Sequence, residues 1–387
     1  MLNLKSLTVL CASALMLGLA HAQPAAKPFT PSNPPEMKPL ADRNSPAHQA
    51  AKLFLHGANL GNYLEVPRGQ DWGVTVSAEE FRQMKAEGFD HVRVPIGWQH
   101  YTGDGPEFTL SKEIIAKADF IVTNALASGL AVLVNIHHFD KFTSDPAGQT
   151  DKFLALWRQV AAHYAKFPNT LAFELLNEPK DAAKTTALNP IYAKAIAAIR
   201  ETNPKRTLFV GPGQWNQVSE LKNLVLPPDV NLIVTVHCYD PFYFTHQGAP
   251  WAGADTKTKG IKFPGPPATP LVPDPKLKLN KWVVDWIEKY NTLPAGKNPC
   301  SPAAFEEKMK LARAWGDYYG RPMHVGEFGC LRTVEPESRA RFYAEFRRVC
   351  QELNIGWCIW DWSAEFRYWD KQKNQPMPGM REGLFGK

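Results

Sequence analysis

The sequence predicts an α/β fold, a single (β/α)8 TIM barrel. Three features lead there. Eight short apolar runs alternate with longer stretches of helical periodicity. Most of the runs are continuously apolar rather than alternating, as parallel strands covered on both faces are. Eight such units fit into roughly 330 residues, the count and length of one barrel. A doubly wound sheet is the alternative, but no glycine-rich dinucleotide turn follows the first run.

In chain order, Met1–Ala22 come first. Lys5 supplies a positive n-region, Leu7–Ala20 is apolar, and Ala20-His21-Ala22 has the small-residue form of a cleavage site. The segment reads as a secretory signal peptide, so a secreted or periplasmic protein is expected. No other apolar run approaches about 18 residues, and no membrane span is expected in the mature chain. Residues 23–50 follow as a Pro-rich extended tail, with seven prolines between Gln23 and Pro46. The barrel is expected over residues 51–387.

Its strands are expected at Leu53–Ala58, His91–Pro95, Ala131–Ile136, Leu171–Leu176, Thr207–Gly211, Leu232–Val236, Met323–Gly326 and Gly356–Trp360. Between them, Ser77 and Glu80 form a capping box that opens a helix ending near Gly88. Leu110–Ser128 is periodic and closed by Gly129. Asp151–Lys166, Pro190–Thr202, Pro302–Tyr319 and Pro336–Leu353 complete the helices. Asp240–Ser301 is the exception: long, rich in proline and glycine, with little periodicity. Following the sixth strand, it belongs on the face where barrels place their chemistry.

Composition removes several classes. At 44% hydrophobic and 21% charged, the chain is not globally disordered. A net charge of +6 with no run of five like charges gives no basic stripe, so no nucleic-acid partner is expected. The 12 tryptophans point to a stacking surface as well as a core. Without Cys11 of the signal segment, Cys238, Cys300, Cys330, Cys350 and Cys358 remain. They show no zinc spacing; their odd number leaves at least one free thiol, and one disulfide of open pairing is possible.

Chemistry in a barrel sits at the C-terminal strand ends. Here strand one runs into Asn59, Asn62 and Glu65, and strand two carries Arg93. Strand three ends in His137-His138, and strand four in Asn177-Glu178-Pro179. Strand six ends in His237 and Tyr239, strand seven in Glu327, and strand eight in Trp360 and Asp361. Solvation alone does not account for polar groups at seven of eight ends. Glu178 and Glu327 would face one another, and two carboxylates flanking one bond are what glycoside hydrolysis requires. For either alone, a salt-bridged structural acid is the alternative. Arg93 can hold a neighbouring carboxylate ionised, as catalysis or an interior ion pair would use it. His137 and His138 point to opposite faces of a strand and H-E-x-x-H is absent, so no metal site is expected. Trp360 suits stacking on a sugar face or burial in a core.

The ordered stretches Gly57-Ala58-Asn59-Leu60-Gly61-Asn62-Tyr63-Leu64-Glu65, Arg93-Val94-Pro95, Ile136-His137-His138, Leu176-Asn177-Glu178-Pro179, His237-Cys238-Tyr239, Gly326-Glu327-Phe328-Gly329 and Trp360-Asp361 resemble glycoside hydrolase family 5, the cellulase family A. Asp240–Trp251 is similar to a loop of bacterial endoglucanases in that family. The resemblance runs from about Leu53 to the C-terminus. It implies a retaining mechanism with Glu178 as acid/base and Glu327 as nucleophile, about 5–5.5 Å apart. By the same resemblance Asn177 holds the sugar 2-hydroxyl, and Arg93 and Tyr239 position Glu327. His137 and His237 line the reacting subsite, Trp360 is its stacking platform, and Asn59, Glu65 and His138 contact sugar hydroxyls one subsite further out. No metal or organic cofactor is implied.

Two departures bear on the outer subsites: Cys238, where an aromatic is common, and the extended Asp255–Pro299 segment. The expected activity is cleavage of β-1,4-linked glucan. β-Mannan, xyloglucan or mixed-linkage glucan are alternatives within the same chemistry, and a saccharide-binding barrel that does not cleave is the alternative outside it. The expected partner is a β-linked polysaccharide or oligosaccharide, taken by a monomer.

Overall fold

The computed structural model describes residues 37–386; the expected signal segment and residues 23–36 of the expected tail lie outside the described residues. Strands β1 His56–Asn59, β2 His91–Val94, β3 Ala131–Asn135, β4 Leu171–Glu174, β5 Leu208–Val210, β6 Leu232–His237, β7 Met323–Phe328 and β8 Gly356–Ile359 pair in parallel and close into one barrel. Helices cross between them, so the fold is the expected (β/α)8 barrel. Both faces of the strands are covered: all of β2 to β8 is buried. This is why their sequences are continuously apolar.

Inside the barrel, strand glycines make room for large polar residues. A Cβ on Gly57 would sit 2.1 Å from the His91 ring, and one on Gly326 would sit 2.9 Å from His237 Nε2. The pairing register slips at Val236/His237 on β6 and between Val325 and Phe328 on β7. Irregularities of this kind re-aim side chains. Here they bring His237 and Glu327 into register beside each other at the strand ends.

The helices follow their end signals. Ser77 and Glu80 form the capping box of Ala78–Glu87, which stops at Gly88 with φ 115°. The helix expected from Pro190 begins a turn earlier, at Thr185, with Pro190 inside. The apolar face of Leu188, Ile191, Tyr192 and Ala195 buries there and offsets the one backbone bond proline cannot make. Two further expectations are corrected. Residues 37–50 are not wholly extended tail: Pro46–Ala51 is a helix whose Ala47 packs with Phe54, Leu133, Phe209 and Ile233 in a small core. Asp240–Ser301 is not aperiodic, since Lys281–Thr292 is a helix burying Val283, Ile287 and Tyr290 at helical spacing. All five cysteines among the described residues are free and buried, so the possible disulfide does not form. No described helix is long and apolar enough to cross a membrane.

Candidate active site

Arg93, on β2, is the hub. It is fully buried, and all five of its N–H groups donate. Nε and Nη2 reach the two oxygens of Glu174 on β4 at 2.6 and 2.9 Å. Nη1 reaches Asn59 Oδ1 at 2.7 Å and Glu327 Oε1 at 2.8 Å, and Nη2 reaches Asn177 Oδ1 at 2.7 Å. Burial alone would pull the guanidinium pKa down, but Glu174 and Glu327 outweigh it and hold the group charged. A buried cation is tolerable only when countered and fully hydrogen-bonded, as here.

Glu327 ends β7. Its second oxygen accepts from the Tyr239 hydroxyl at 2.8 Å. Burial pushes its carboxyl up; His237, Arg93 and Tyr239 oppose the shift, and Glu178 adds to it. Across the barrel mouth, Glu178 Oε1 lies 2.9 Å from His237 Nδ1, and the same nitrogen is 3.7 Å from Glu327 Oε2. Burial raises Glu178 to about 7 and lowers His237 to about 4. One oxygen of each glutamate and His237 Nδ1 or Nε2 fall within 4.8 Å of one another. That trio is the set among the described residues able to hold a metal ion, although Arg93 already engages Glu327.

Glu178 sits at φ +43°, a strained backbone for a residue with a side chain. Its N–H donates to Asn216 Oδ1 at 3.0 Å. Asn216 is buried and closes a left-handed run, Gln214, Trp215 and Asn216 at φ 52°, 59° and 55°. The strain at Glu178 is thus held by the segment after β5.

These groups floor a cleft of about 1160 Å³. Glu178, His237, Glu327, Tyr239, His137 and Trp360 all face it. His137 and Trp360 lie parallel, ring centres 5.8 Å apart. Beyond them, His138 leans towards Trp72 at 6.5 Å. Asn177, next to Glu178 in sequence, is buried; with its oxygen taken by Arg93, its amide N–H is the group left to donate.

Two residues expected to contact sugar hydroxyls lie fully buried. Asn59 is fully buried behind Arg93, and its Nδ2 donates to the Gly326 and Ile359 carbonyls at 2.9 and 3.0 Å. Glu65 is fully buried and accepts from the Asn62 and Tyr63 N–H groups, and so shapes the β1 loop. Arg93 is fully buried too, with Glu174, Asn59, Glu327 and Asn177 around its guanidinium. Asp361 is buried, accepting from Phe366 N at 3.1 Å and from Ala364 N, and so folds the β8 loop. Sequence reasoning missed Glu174, an acid inside an apolar strand run, which was its available signal. It also missed Asn216 and the cleft walls Trp72, Trp215, Trp251 and Phe366, which lie in loops without a strand-end position to mark them.

The family model Cellulase (glycosyl hydrolase family 5) matches residues 54–366. Endoglucanase H of Acetivibrio thermocellus is 26% identical over 89% of the chain, and Endoglucanase 3 of Fibrobacter succinogenes 28% over 83%. The chain spans 33% and 51% of their respective lengths. Among solved structures, Thermotoga maritima Cel5A in complex with cellobiose is 30% identical with a TM-score of 0.76, over 88% of this chain and 100% of that one. The match covers most of the chain, and its fold and sequence agree: this chain belongs to glycosyl hydrolase family 5.

Proposed function

We propose that the chain is a retaining glycoside hydrolase that cleaves β-1,4-linked glucan by double displacement. One observation carries the reading: Glu178, just past the end of β4, and Glu327, on β7, place carboxylate oxygens within 4.8 Å of one another over one cleft. That closeness suits a nucleophilic pair, about 5–5.5 Å apart, and leaves no room for the water that an inverting pair must admit. Protonated Glu178 donates to the glycosidic oxygen while Glu327 attacks the anomeric carbon; the C–O bond breaks with its electrons on the departing sugar, and a glycosyl ester forms on Glu327. Ionised Glu178 then takes a proton from water, whose oxygen releases the sugar and restores Glu327. Arg93 and Tyr239 hold Glu327 aimed at the anomeric carbon, and Asn177 supplies an N–H for the neighbouring hydroxyl. Trp360, parallel to His137, offers the flat surface on which a pyranose ring stacks.

A second reading, β-mannan as substrate, is favoured by one observation: Thermotoga maritima Cel5A, 30% identical, has also been solved with mannotriose. Reducing-sugar release from carboxymethyl-cellulose, barley β-glucan and mannan separates the two, with Glu327→Ala run in parallel. Release from a glucan that disappears in Glu327→Ala is the expected result. Release from mannan alone moves the substrate, and no release from any of the three overturns the hydrolase reading.

A further inference from the structure

Residues 240–301 give the cleft the rings of Phe242, His246 and Trp251. The same segment carries a second set that the cleft does not use. Tyr243 follows Phe242, with ring centres 6.1 Å apart. Trp286 meets Tyr243 edge to face at 5.2 Å and stacks on Tyr290 at 5.5 Å and 12°. Tyr290 is buried, and its hydroxyl is tied to the Lys262 backbone on both sides, accepting at 2.8 Å and donating at 3.1 Å. Trp282 lies one turn before Trp286 on the helix Lys281–Thr292. It is beside Tyr243, on whose phenol its side chain acts, and it is 61% exposed.

The fold does not require an indole there. The helix buries Val283, Ile287 and Tyr290, and Trp282 lies off that face. The helix is nonetheless held in place. Asn280 Nδ2 donates to Asp255 Oδ2 at 2.7 Å, and the Asn291 amide exchanges bonds with the Leu271 backbone at 2.8 and 2.9 Å. The nearest charges on the same turn, Lys281 and Asp285, pair with each other at 2.7 Å. The surface is therefore aromatic and fixed, with Asp255 the one charge acting on the Tyr243 phenol and no cation beside it among the described residues, which favours a ligand with flat apolar faces and hydroxyl groups over an anionic one.

We propose that Tyr243 and Trp282 form a sugar-stacking shelf, continuous with the cleft through Phe242, that holds the part of a β-linked glucan chain running past the β6 edge of the cleft. This rests on the glucanase reading above. The rings of a β-1,4-linked chain present C–H faces that pack on aromatic planes while their hydroxyls stay in water, so an exposed indole adds affinity without burying polar groups. The shelf gives polymers an advantage that short substrates lack.

The test compares Glu327→Ala with Glu327→Ala/Trp282→Ala for retention in native gels cast with barley β-glucan. The double variant is expected to bind about tenfold more weakly, a difference of about 1.4 kcal/mol, and Trp282→Phe in the same background is expected to recover most of it. In active protein, Trp282→Ala is expected to lower the ratio of kcat/KM on β-glucan to that on an aryl β-cellobioside by a similar factor. Equal retention of the single and double variants overturns the shelf while leaving the glucanase reading in place. No retention of Glu327→Ala, together with no sugar release by the unaltered protein, overturns both. A dimer that Trp282→Ala dissolves without altering retention assigns the surface to a second copy of the chain and likewise overturns the shelf.

Discussion

Burial pushes the Glu178 carboxyl up to about 7, with Arg93 and Lys180 pulling against it, while burial drives His237 beside it down to about 4. Near pH 6 the pair is therefore a carboxylic acid next to a neutral imidazole, and the acid has a proton to give. Glu327 is also raised by burial, but it has a guanidinium and a phenol on its oxygens, so its charge has partners that the charge of Glu178 lacks. Under the proposed mechanism, environment alone divides this pair into an acid and a nucleophile. The sign of the pH dependence follows. The proposed mechanism needs Glu178 protonated, so kcat/KM is expected to fall as pH rises through about 7. Glu178→Gln keeps the shape and removes the proton. On oligosaccharides, whose leaving groups need it, kcat/KM is expected to drop about 10²- to 10⁴-fold. On an activated dinitrophenyl cellobioside the loss is expected to be far smaller, and the limb near pH 7 should vanish from its profile. Equal losses on both substrates would remove Glu178 from the acid role.

At the scale of the element, β6 and β7 depend on a residue with no side chain. Gly326 precedes Glu327 on β7, and a Cβ there would meet Thr235 Oγ1 at 2.8 Å and His237 Nε2 at 2.9 Å, both on β6. Gly326→Ala should push His237 away from the carboxylates it spans. A displacement of that size at a catalytic centre costs up to about 100-fold in rate, so kcat on an aryl cellobioside is expected to fall by about 10- to 100-fold. Overpacking should also lower stability by about 1–3 kcal/mol, read by urea unfolding. An unchanged kcat would show that His237 does not need its present position. The strand ends were legible because a barrel puts its chemistry there: Glu178, Glu327, His137, His237, Tyr239 and Trp360 meet in one cleft as expected. Depth was not legible. Asn59 and Glu65 have the same strand-end signature, but a polar residue bonded to backbone and one bonded to sugar are the same letter in a sequence. Glu174 was hidden for the opposite reason, an acid read as part of an apolar run because its partner Arg93 lies 81 residues away. The helix Lys281–Thr292 was masked by the prolines and glycines around it, which outweighed its own apolar spacing.

Across the whole molecule, the barrel interior holds imidazoles at its lower end as well as at its mouth. His324 on β7 is buried with neither ring nitrogen bonded to protein, packed between His91 at 5.3 Å and Phe209 at 5.2 Å. Burial, then His91, Arg93 and His237, hold its pKa well below the ordinary 6.5. The unfolded chain therefore binds a proton below about pH 6.5 that the folded chain refuses, and the stability present above that pH is lost as pH falls. Buried carboxyls act with the opposite sign. Burial raises Glu65 and Glu178 to about 7 and Asp361 to about 6, so their contribution is present below the ordinary carboxyl range and is lost as pH rises from that range up through about 6 to 7. The stability curve of the unaltered protein is the difference of these slopes and isolates neither. His324→Phe isolates one. Its fit among His91 and Phe209 adds an offset independent of pH, while removal of the imidazole takes away a pH-dependent loss. Stability of the variant relative to the unaltered protein, from urea unfolding, is expected to be constant above pH 7 and to rise as pH falls from 6.5 to 4.5, by at most about 1.4 kcal/mol per pH unit. A difference that stays flat over that range would mean that His324 takes up its proton inside the folded barrel, and the lower interior would then be wet rather than packed.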